Sequence, residues 1–582
     1  MASTGFAGGR AGASADAARD RRALVAGVLL LTLATLFVYW GVWRFELVNF
    51  DDAIALGGAE RIVGDWREDP PGNSERSAAI LDPGGKVSRA GERSSASTDF
   101  FTLIARAFEY RNGHEYLPVR DLSYVLDHEM SGGWDAGSLH AMNLVLHMAS
   151  GVLVIALATQ MGTSVAASLL AGALFLLHPI QVESVAWVAS RKDLLAGMFV
   201  LLSWHAHARR WRAWSAIAFL AAALSKATVV VFPSVLVVSS VVLERARWRD
   251  AVRRAAPHFI IAAVAAALQL RSAGEAGMLA RASHARPLET ILMAAKIPFL
   301  YFAHIAWPTR LHVLYAPSTP APGAMPSWLA PAGLVLLGVV AVRLARGARP
   351  RPLIGVGLAA FLFLLAPTLG LVPFQLLMAD RYAYVAMGGL AVACAGLVGA
   401  VRRPAFYVPF LVAIPLALVA RREALAWRNS ETLWQREIAR DPVRTEAWAN
   451  LGEHYLLRGR AAEAADALSH AAQLRPESHQ ILTNYALAAA RAGRSEQAAA
   501  AIDSALARAP NDPLVHYNAA CVRAAAGESD LAIAELSASI RLGFADRDAI
   551  ILDPDLARLR GDRRFWETLG LRDPASMLQY IR

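Results

Sequence analysis

ALVAGVLLLTLATLFVYWGVW, Ala23 to Trp43, followed at once by RFELVNFDD, Arg44 to Asp52, is the stretch that decides the class of this chain. The first part carries no charge over 21 residues, the length an α-helix needs to cross the hydrocarbon core of a bilayer. The second part puts two adjacent carboxylates, Asp51 and Asp52, just past the end of that helix, at the boundary between membrane and water. Acids in that place are solvated interfacial groups, the N-cap of a short surface helix, or a general base working at a membrane surface. The rest of the chain weighs these readings.

Of the 582 residues, 55% are hydrophobic and 18% charged. That is too apolar for a soluble protein and too charged for membrane spans throughout, so a polytopic membrane domain joined to a soluble one is expected. The net charge of +10 sits largely as Arg in short loops between apolar runs, which reads as membrane topology and not as nucleic-acid affinity. Cys394 lies inside an apolar run and Cys521 far from it, so neither a disulfide nor a metal site is expected from the cysteines. Residues 1–22, rich in Ala, Gly, Ser, Asp and Arg, read as a disordered cytoplasmic N-terminus. No A-x-A-like cleavage site follows the first apolar run, which is therefore expected to be an uncleaved anchor.

Further apolar runs lie at about 138–160, 163–179, 191–207, 211–225, 227–243, 255–270, 288–307, 327–346, 352–370, 383–401 and 404–420. The basic loops at Arg19–Arg22, Arg209–Arg212, Glu244–Arg254, Arg343–Arg351 and Arg402-Arg403 fix their sides as cytoplasmic. The rule holds for every loop if 288–307 is re-entrant or interfacial, which Pro298 and Pro308 allow. Eleven crossings of a membrane domain over 23–420 follow, with the N-terminus inside and the C-terminus outside. Asp51-Asp52, His178–Asp193, Ser225-Lys226 and Asp380-Arg381 then share one outer face, and ionisable residues gathered from distant segments on one membrane face read as a site. The outer loop 46–136 holds a Gly/Ser/Pro-rich stretch, 57–97, expected to be a flexible insertion. It also holds Phe100–Tyr110, whose helical periodicity suits the interface.

After residue 420 the character changes. Asn450, Asn484 and Asn518 recur at an interval of 34, as do Gly459, Gly493 and Gly527, and Pro442, Pro476 and Pro510. Small residues in three registers at a 34-residue period are the signature of tetratricopeptide repeats, with Gly between the two helices and Pro ending the second. Three repeats and an opening helix are expected over 427–545. The tail 546–582, with Asp553-Pro554-Asp555-Leu556 and Phe565-Trp566, is expected to cap the solenoid. Stacked helix pairs form a groove suited to extended peptide, and Asn450, Asn484 and Asn518 on each first helix are its candidate lining, or else ties between neighbouring helices. Trp427 to Trp434 is expected to run from the last span straight into helix.

His178-Pro179-Ile180-Gln181-Val182-Glu183-Ser184-Val185-Ala186-Trp187 precedes Arg191-Lys192-Asp193 at one membrane edge. The group is either an ordinary polar loop with an aromatic belt residue or a set of charges that pair or bind something, since such density is costly otherwise. Lys226, between two very apolar runs, either snorkels or contacts a lipid phosphate as a point charge. Asp380-Arg381-Tyr382-Ala383-Tyr384 reads equally as a structural ion pair with aromatic anchors.

Asn49-Phe50-Asp51-Asp52, His178-Pro179 with Val182 to Trp187, Arg191-Lys192-Asp193, Leu224-Ser225-Lys226 and Asp380-Arg381-Tyr382 occur in this order, and Trp427-Arg428-Asn429-Ser430 opens the repeats. In these motifs the chain resembles the transmembrane and tetratricopeptide-repeat O-mannosyltransferases and their bacterial relatives. The insertion at 57–97 and residues 240–375 depart from that pattern. The resemblance implies an all-α fold, a GT-C-like polytopic glycosyltransferase domain of about 11 spans followed by a tetratricopeptide α-solenoid. It also implies a polyprenyl-phosphate-linked sugar as donor, a protein or peptide acceptor engaged through the repeats, and contact with membrane lipid. Asp51 or Asp52, with Asp52 preferred, would take the acceptor proton. Arg191, Lys192, Lys226 and Arg381 are candidates to hold the departing phosphate, and Glu183 and His178 to orient or share the site. No cluster has metal-ligand spacing, so no metal or other cofactor is required. The expected location is a bacterial inner membrane, with the repeats periplasmic. The rivals are a non-enzymatic membrane-anchored repeat scaffold and a transporter, the latter lacking interrupted helices at matching positions of two halves.

Overall fold

The computed structural model describes residues 5–63, 100–109, 115–275, 287–315, 326, 328–348, 350–370, 378–400 and 408–571. Among these the regular structure is helical, with no β-strand. The chain divides into two compact units, the second of which takes Val48–Ala53 together with the described residues from Asn429 onward.

In the first unit the apolar runs are helices. Six are long and apolar enough to cross a membrane: Ala18–Arg44, Ala136–Gln160, Trp248–Ser272, Leu288–Ala306, Arg351–Thr368 and Asp380–Gly399. Val165–Leu177 and Pro179–Ala186 make a seventh if the pair, bent by 50°, is one span. The helices Arg212–Ser225, Ala227–Leu243 and Ala330–Ala345 are apolar but shorter. Eleven crossings are expected from hydropathy; among the described residues six helices, or seven with the bent pair, are long and apolar enough to cross by length and composition. Helix Arg191–Ala208 is less apolar than these, since Arg191, Lys192 and Asp193 fill its first turn. The run 288–307, expected to be re-entrant or interfacial, is a continuous helix long and apolar enough to cross a membrane. Pro287–Ala306 is one helix with Pro298 inside it, whereas the break falls at His178-Pro179, where proline ends the preceding helix.

Two further expectations change. The N-terminal helix runs from Gly5 to Val38, so its start lies within the stretch read as disordered. Alanine dominates residues 11–18 and extends the helix backward from the apolar run. Of the stretch 57–97, residues up to Val63 belong to helix Asp52–Val63, and the remainder lies outside the described residues.

Small residues let the helices around the site approach closely. A Cβ on Gly357 would meet Ala393 N at 2.4 Å, and one on Gly389 would meet Phe361 N at 2.7 Å, so Arg351–Leu365 and Ala383–Gly399 pack backbone to backbone. Gly197 likewise admits the ring of Tyr384, which a Cβ would meet at 2.6 Å.

The second unit stacks helix pairs Thr445–Leu457 with Ala461–Leu474, His479–Arg491 with Ser495–Arg508, and Pro513–Ala525 with Ser529–Arg541. Gly459, Gly493 and Gly527, between the members of each pair, have φ of 70°, 75° and 81°, a left-handed conformation that glycine adopts without steric cost. Ala464, Ala498 and Ala532 are buried between helices. The 34-residue period is thus a stack of tetratricopeptide helix pairs. Its last pair packs Tyr517 and Leu536 against Ile550, Leu556, Phe565 and Trp566. The opening helix, Ser430–Arg440, is not continuous with Val408–Ala426. The chain breaks at Trp427–Asn429, where Asn429 and Thr432 form a reciprocal capping box that starts a new helix.

Candidate functional site

The first unit concentrates its buried charges where three short segments meet. These are the bent stretch Pro179–Ala186, the first turn of Arg191–Ala208, and the turn Asp380–Tyr382 that opens Ala383–Gly399. Glu183 is buried and pairs with Arg381 through Oε1 and Nη1, while its Oε2 accepts the Arg381 backbone N–H at 2.9 Å. The Arg381 guanidinium lies 4.9 Å from the centre of the Trp187 ring and 5.1 Å from that of Tyr382. Beside it, Lys226 pairs with buried Asp193 and stands 5.3 Å over the same Tyr382 ring. Tyr382 is thus shared by two cations drawn from segments far apart in sequence. The Tyr315 hydroxyl donates to Asp380 Oδ1 at 2.7 Å and fixes the turn from behind.

Each buried cation here has its own carboxylate, so the desolvation cost is met by pairing. Lys226 nonetheless has three N–H donors, and its bond to Asp193 uses one. Several buried polar atoms in the same segments have no hydrogen-bond partner among the described residues: both amide atoms of Gln181, the hydroxyls of Ser184 and Ser190, and Asp193 Oδ2.

The expected residues do not all fall in this cluster. Lys192 points to a different partner, Glu115, at 2.6 Å, and Glu115 also takes Arg120 Nη1 at 2.7 Å. Next to that pair Arg120 Nε bonds Asp121, whose carboxyl is pushed up by burial against the pull of the guanidinium. Arg191 is fully buried and committed. Its Nε donates to Asn143 Oδ1, Nη1 to the Ser123 carbonyl and to Asp127, and Nη2 to the Leu139 carbonyl, with Tyr124 stacked at 4.5 Å. It ties Pro118–Ser131 and Ala136–Gln160 to Arg191–Ala208 and has little left to offer a phosphate. His178 is equally occupied, with Nε2 at 2.9 Å from the Ile305 carbonyl and Nδ1 accepting the Ile180 N–H, so it holds the bend of the broken helix.

Asp51 and Asp52 belong to the second unit. Asp52 opens helix Asp52–Val63, is buried, and accepts the Val48 N–H at 2.8 Å through Oδ2. Asp51 is exposed and has φ of 63°, a left-handed conformation uncommon outside glycine and best tolerated by Asn and Asp. Asn450, Asn484 and Asn518 sit half exposed on the first helix of their pairs.

The residues the sequence did not single out are Asp127, Asn143 and Tyr315, while Asp193 and Tyr382 stand within its motifs without a role of their own. In the second unit Cys521, Asp553 and Asp555 bring ligand-type atoms within 4.8 Å of one another. Their bonds are those of a cap. Tyr517 donates to Asp553, the Asp555 N–H donates to Asp553 Oδ1 at 2.8 Å, and Arg491 pairs with Asp555 at 2.7 Å.

Comparison with known proteins adds to this geometry. A family model described as tetratricopeptide repeat matches residues 455–520. The chain is 40% identical over 97 residues to the protein O-mannosyl-transferase Tmtc2 of Drosophila melanogaster, covering 16% of this chain and 10% of that protein. It is 31% identical over 110 residues to the protein O-mannosyl-transferase TMTC4 of Homo sapiens, covering 17% of this chain and 15% of that protein. These matches span between a tenth and a sixth of the relatives' own length. The apo oligosaccharyltransferase of Archaeoglobus fulgidus is a loose structural likeness on which no conclusion rests, with a TM-score of 0.37 at 12% identity over 74% of this chain and 59% of that chain. Over these stretches the chain is similar in sequence to proteins named O-mannosyl-transferases, and over residues 455–520 it matches the tetratricopeptide repeat.

Proposed function

We propose that the protein is an inverting membrane glycosyltransferase that moves a mannose-like sugar from a polyprenyl-phosphate donor to Ser or Thr hydroxyls of protein. Its setting in this reading is the periplasmic face of a bacterial inner membrane. The observation that carries it is the paired cluster of Glu183, Arg381, Asp193 and Lys226 with its unpartnered polar atoms, set among helices apolar enough to lie in a bilayer. The identity to proteins named O-mannosyl-transferases supports it.

In this mechanism a carboxylate takes the proton of the acceptor hydroxyl as its oxygen attacks the anomeric carbon, and the bond from that carbon to the phosphate oxygen breaks. The sugar inverts, and polyprenyl phosphate leaves with the electron pair. Asp51 is the better base of the two, because its carboxylate is exposed while that of Asp52 is buried and bonded to backbone. Lys226 and Arg381 stabilise the departing phosphate, Lys226 through N–H groups beyond the one given to Asp193. Lys192 is a second cation for the same anion. Gln181 and Ser184 are suited to sugar hydroxyls, since an amide both donates and accepts. The half-exposed Asn450, Asn484 and Asn518 line the acceptor groove.

A second reading, a repeat scaffold anchored by its spans, is favoured by one observation, the pairing of each cation in the cluster with a carboxylate. The purified full chain, incubated with polyprenyl-phosphate mannose and a Ser/Thr peptide, separates the two. Mannosylated peptide or donor hydrolysis is expected, and neither occurring would leave the scaffold.

Two further outcomes are expected. A reporter active only in the periplasm, fused after Arg582, should be active, whereas a signal from a cytoplasm-only reporter there would reverse the orientation. Lys226→Met in an Asp193→Asn background removes the ammonium without stranding a buried carboxylate. It should lower turnover on the order of 10²-fold, as losing one stabilising donor does elsewhere. Full turnover by that double variant, with donor KM unchanged, would move the phosphate to Lys192.

A further inference from the structure

The segment bearing the two carboxylates folds as part of the repeat unit, and its grip is specific. Asn49 uses both ends of its side-chain amide: Oδ1 accepts the indole N–H of Trp434 at 2.8 Å, and Nδ2 donates to the Asn450 carbonyl at 2.8 Å. Its backbone N–H donates to Ser430 Oγ at 2.9 Å. Phe50 meets the Trp434 ring edge to face, with centroids 5.5 Å apart at 88°. Trp434 and Ser430 are buried on the opening helix Ser430–Arg440, and Asn450 lies on the first helix of the first repeat. Asp51 follows directly in its left-handed conformation, and Asp52 then closes the turn onto Val48. A non-glycine residue in that conformation persists where neighbouring structure fixes it, and the two residues before Asp51, Asn49 and Phe50, are held by the repeats.

We infer that the first repeat and its opening helix set the conformation of the loop Val48–Ala53, with Asn49 and Trp434 as positioning residues for the backbone that carries Asp51. The inference rests on the reading of Asp51 as the base. It departs from the simplest role for such repeats, which is to bind acceptor peptide alone. A peptide clamp acts on transfer to protein and leaves water attack on the donor untouched. A device that positions the base acts on both, because either nucleophile needs its proton removed.

Trp434→Phe keeps the ring against Phe50 and deletes the indole N–H, and Asn49→Ala deletes both amide bonds. In the full-length protein each is expected to lower donor hydrolysis and peptide transfer in parallel. A fall on the order of 10²-fold in kcat is expected, the scale of an ångström-sized misplacement, with donor KM unchanged. Hydrogen exchange at the Val48 and Asn49 amides should accelerate in the same variants, while the amides of residues 479–541 keep their protection. Wild-type exchange at Val48 and Asn49 would overturn the clamp. So would a fall in peptide transfer with hydrolysis unaffected. Asp51→Asn is assayed alongside. If it retains activity, the assignment of the base fails, whereas an inactive Asp51→Asn beside a fully active Trp434→Phe and Asn49→Ala refutes the positioning role by itself.

Discussion

Asp51→Asn is expected to reduce sugar transfer by about 10²–10⁴-fold, the range a lost general base costs. Asparagine is the informative replacement for two reasons. It is nearly isosteric, and it tolerates the left-handed backbone that Asp51 adopts at φ 63°, so the loop survives and only the basic oxygen goes. Asp51→Gly is the matching control, since glycine adopts that conformation without cost, and it should be as inactive as the asparagine variant. Asp52→Asn should do less. Its amide oxygen can still accept the Val48 N–H, and the side chain it replaces is buried. The measurement is the initial rate of mannose transfer to peptide and of donor hydrolysis, with membrane insertion and expression checked for each variant. Inactive Asp52→Asn beside active Asp51→Asn would restore Asp52 as the base, the choice favoured by sequence. Activity in both, and in the double variant, would make them interfacial acids.

The choice between the two acids marks where sequence reading stops. Adjacent carboxylates look alike in a string, and what separates them is a single backbone dihedral and the Val48 N–H, both set by how the loop folds back. The run Arg191-Lys192-Asp193 teaches the same point. Successive residues of a helix point about 100° apart, so Arg191 turns inward to Asp127 and Asn143, Lys192 stays partly exposed beside Glu115, and Asp193 turns to Lys226. The density of charge in these segments was legible; the partner of each charge was not, because the pairing of Glu183 with Arg381 crosses 198 residues that hydropathy alone cannot fold. The repeats were legible because their period leaves a glycine with positive φ at each turn, a local requirement written into local sequence. The apolar runs were legible as helices for the same kind of reason. Proline position misled: Pro298 is carried inside a helix, while Pro179 marks the actual bend. The membership of Val48–Ala53 in the repeat unit had no sequence signal, since it depends on bonds from Asn49 to Ser430, Trp434 and Asn450.

Glu183→Ala is expected to be among the most damaging single changes to the stability of the membrane unit. Arg381 is 7% exposed, and Glu183 answers it twice, with one carboxylate oxygen on the guanidinium and the other on the backbone N–H. Removing the acid takes away the carboxylate facing a buried cation and the acceptor of its backbone N–H, a loss of about 3–5 kcal/mol for a broken buried pair. Arg381→Ala should cost a similar amount, since it strands the carboxylate and empties the space between Trp187 and Tyr382. The two losses should not add. With both side chains gone neither charge is left unpaired, so the double variant Glu183→Ala/Arg381→Ala should be more stable than Glu183→Ala alone, a coupling that a double-mutant cycle measures directly. Thermal unfolding of the detergent-solubilised full chain, followed by a probe of the membrane helices, supplies the four values. Additive losses would mean that water or a bound anion compensates each charge separately and that the pair is incidental. Coupled losses, together with a double variant that is folded but inactive, would identify the pair as both the strut that holds Asp380–Tyr382 against the bent helix and the scaffold on which Lys226 meets the phosphate. Arg381→Lys distinguishes these two roles. Lysine keeps the charge against Glu183 but cannot spread a planar guanidinium between two rings, so it should recover most of the stability and less of the turnover.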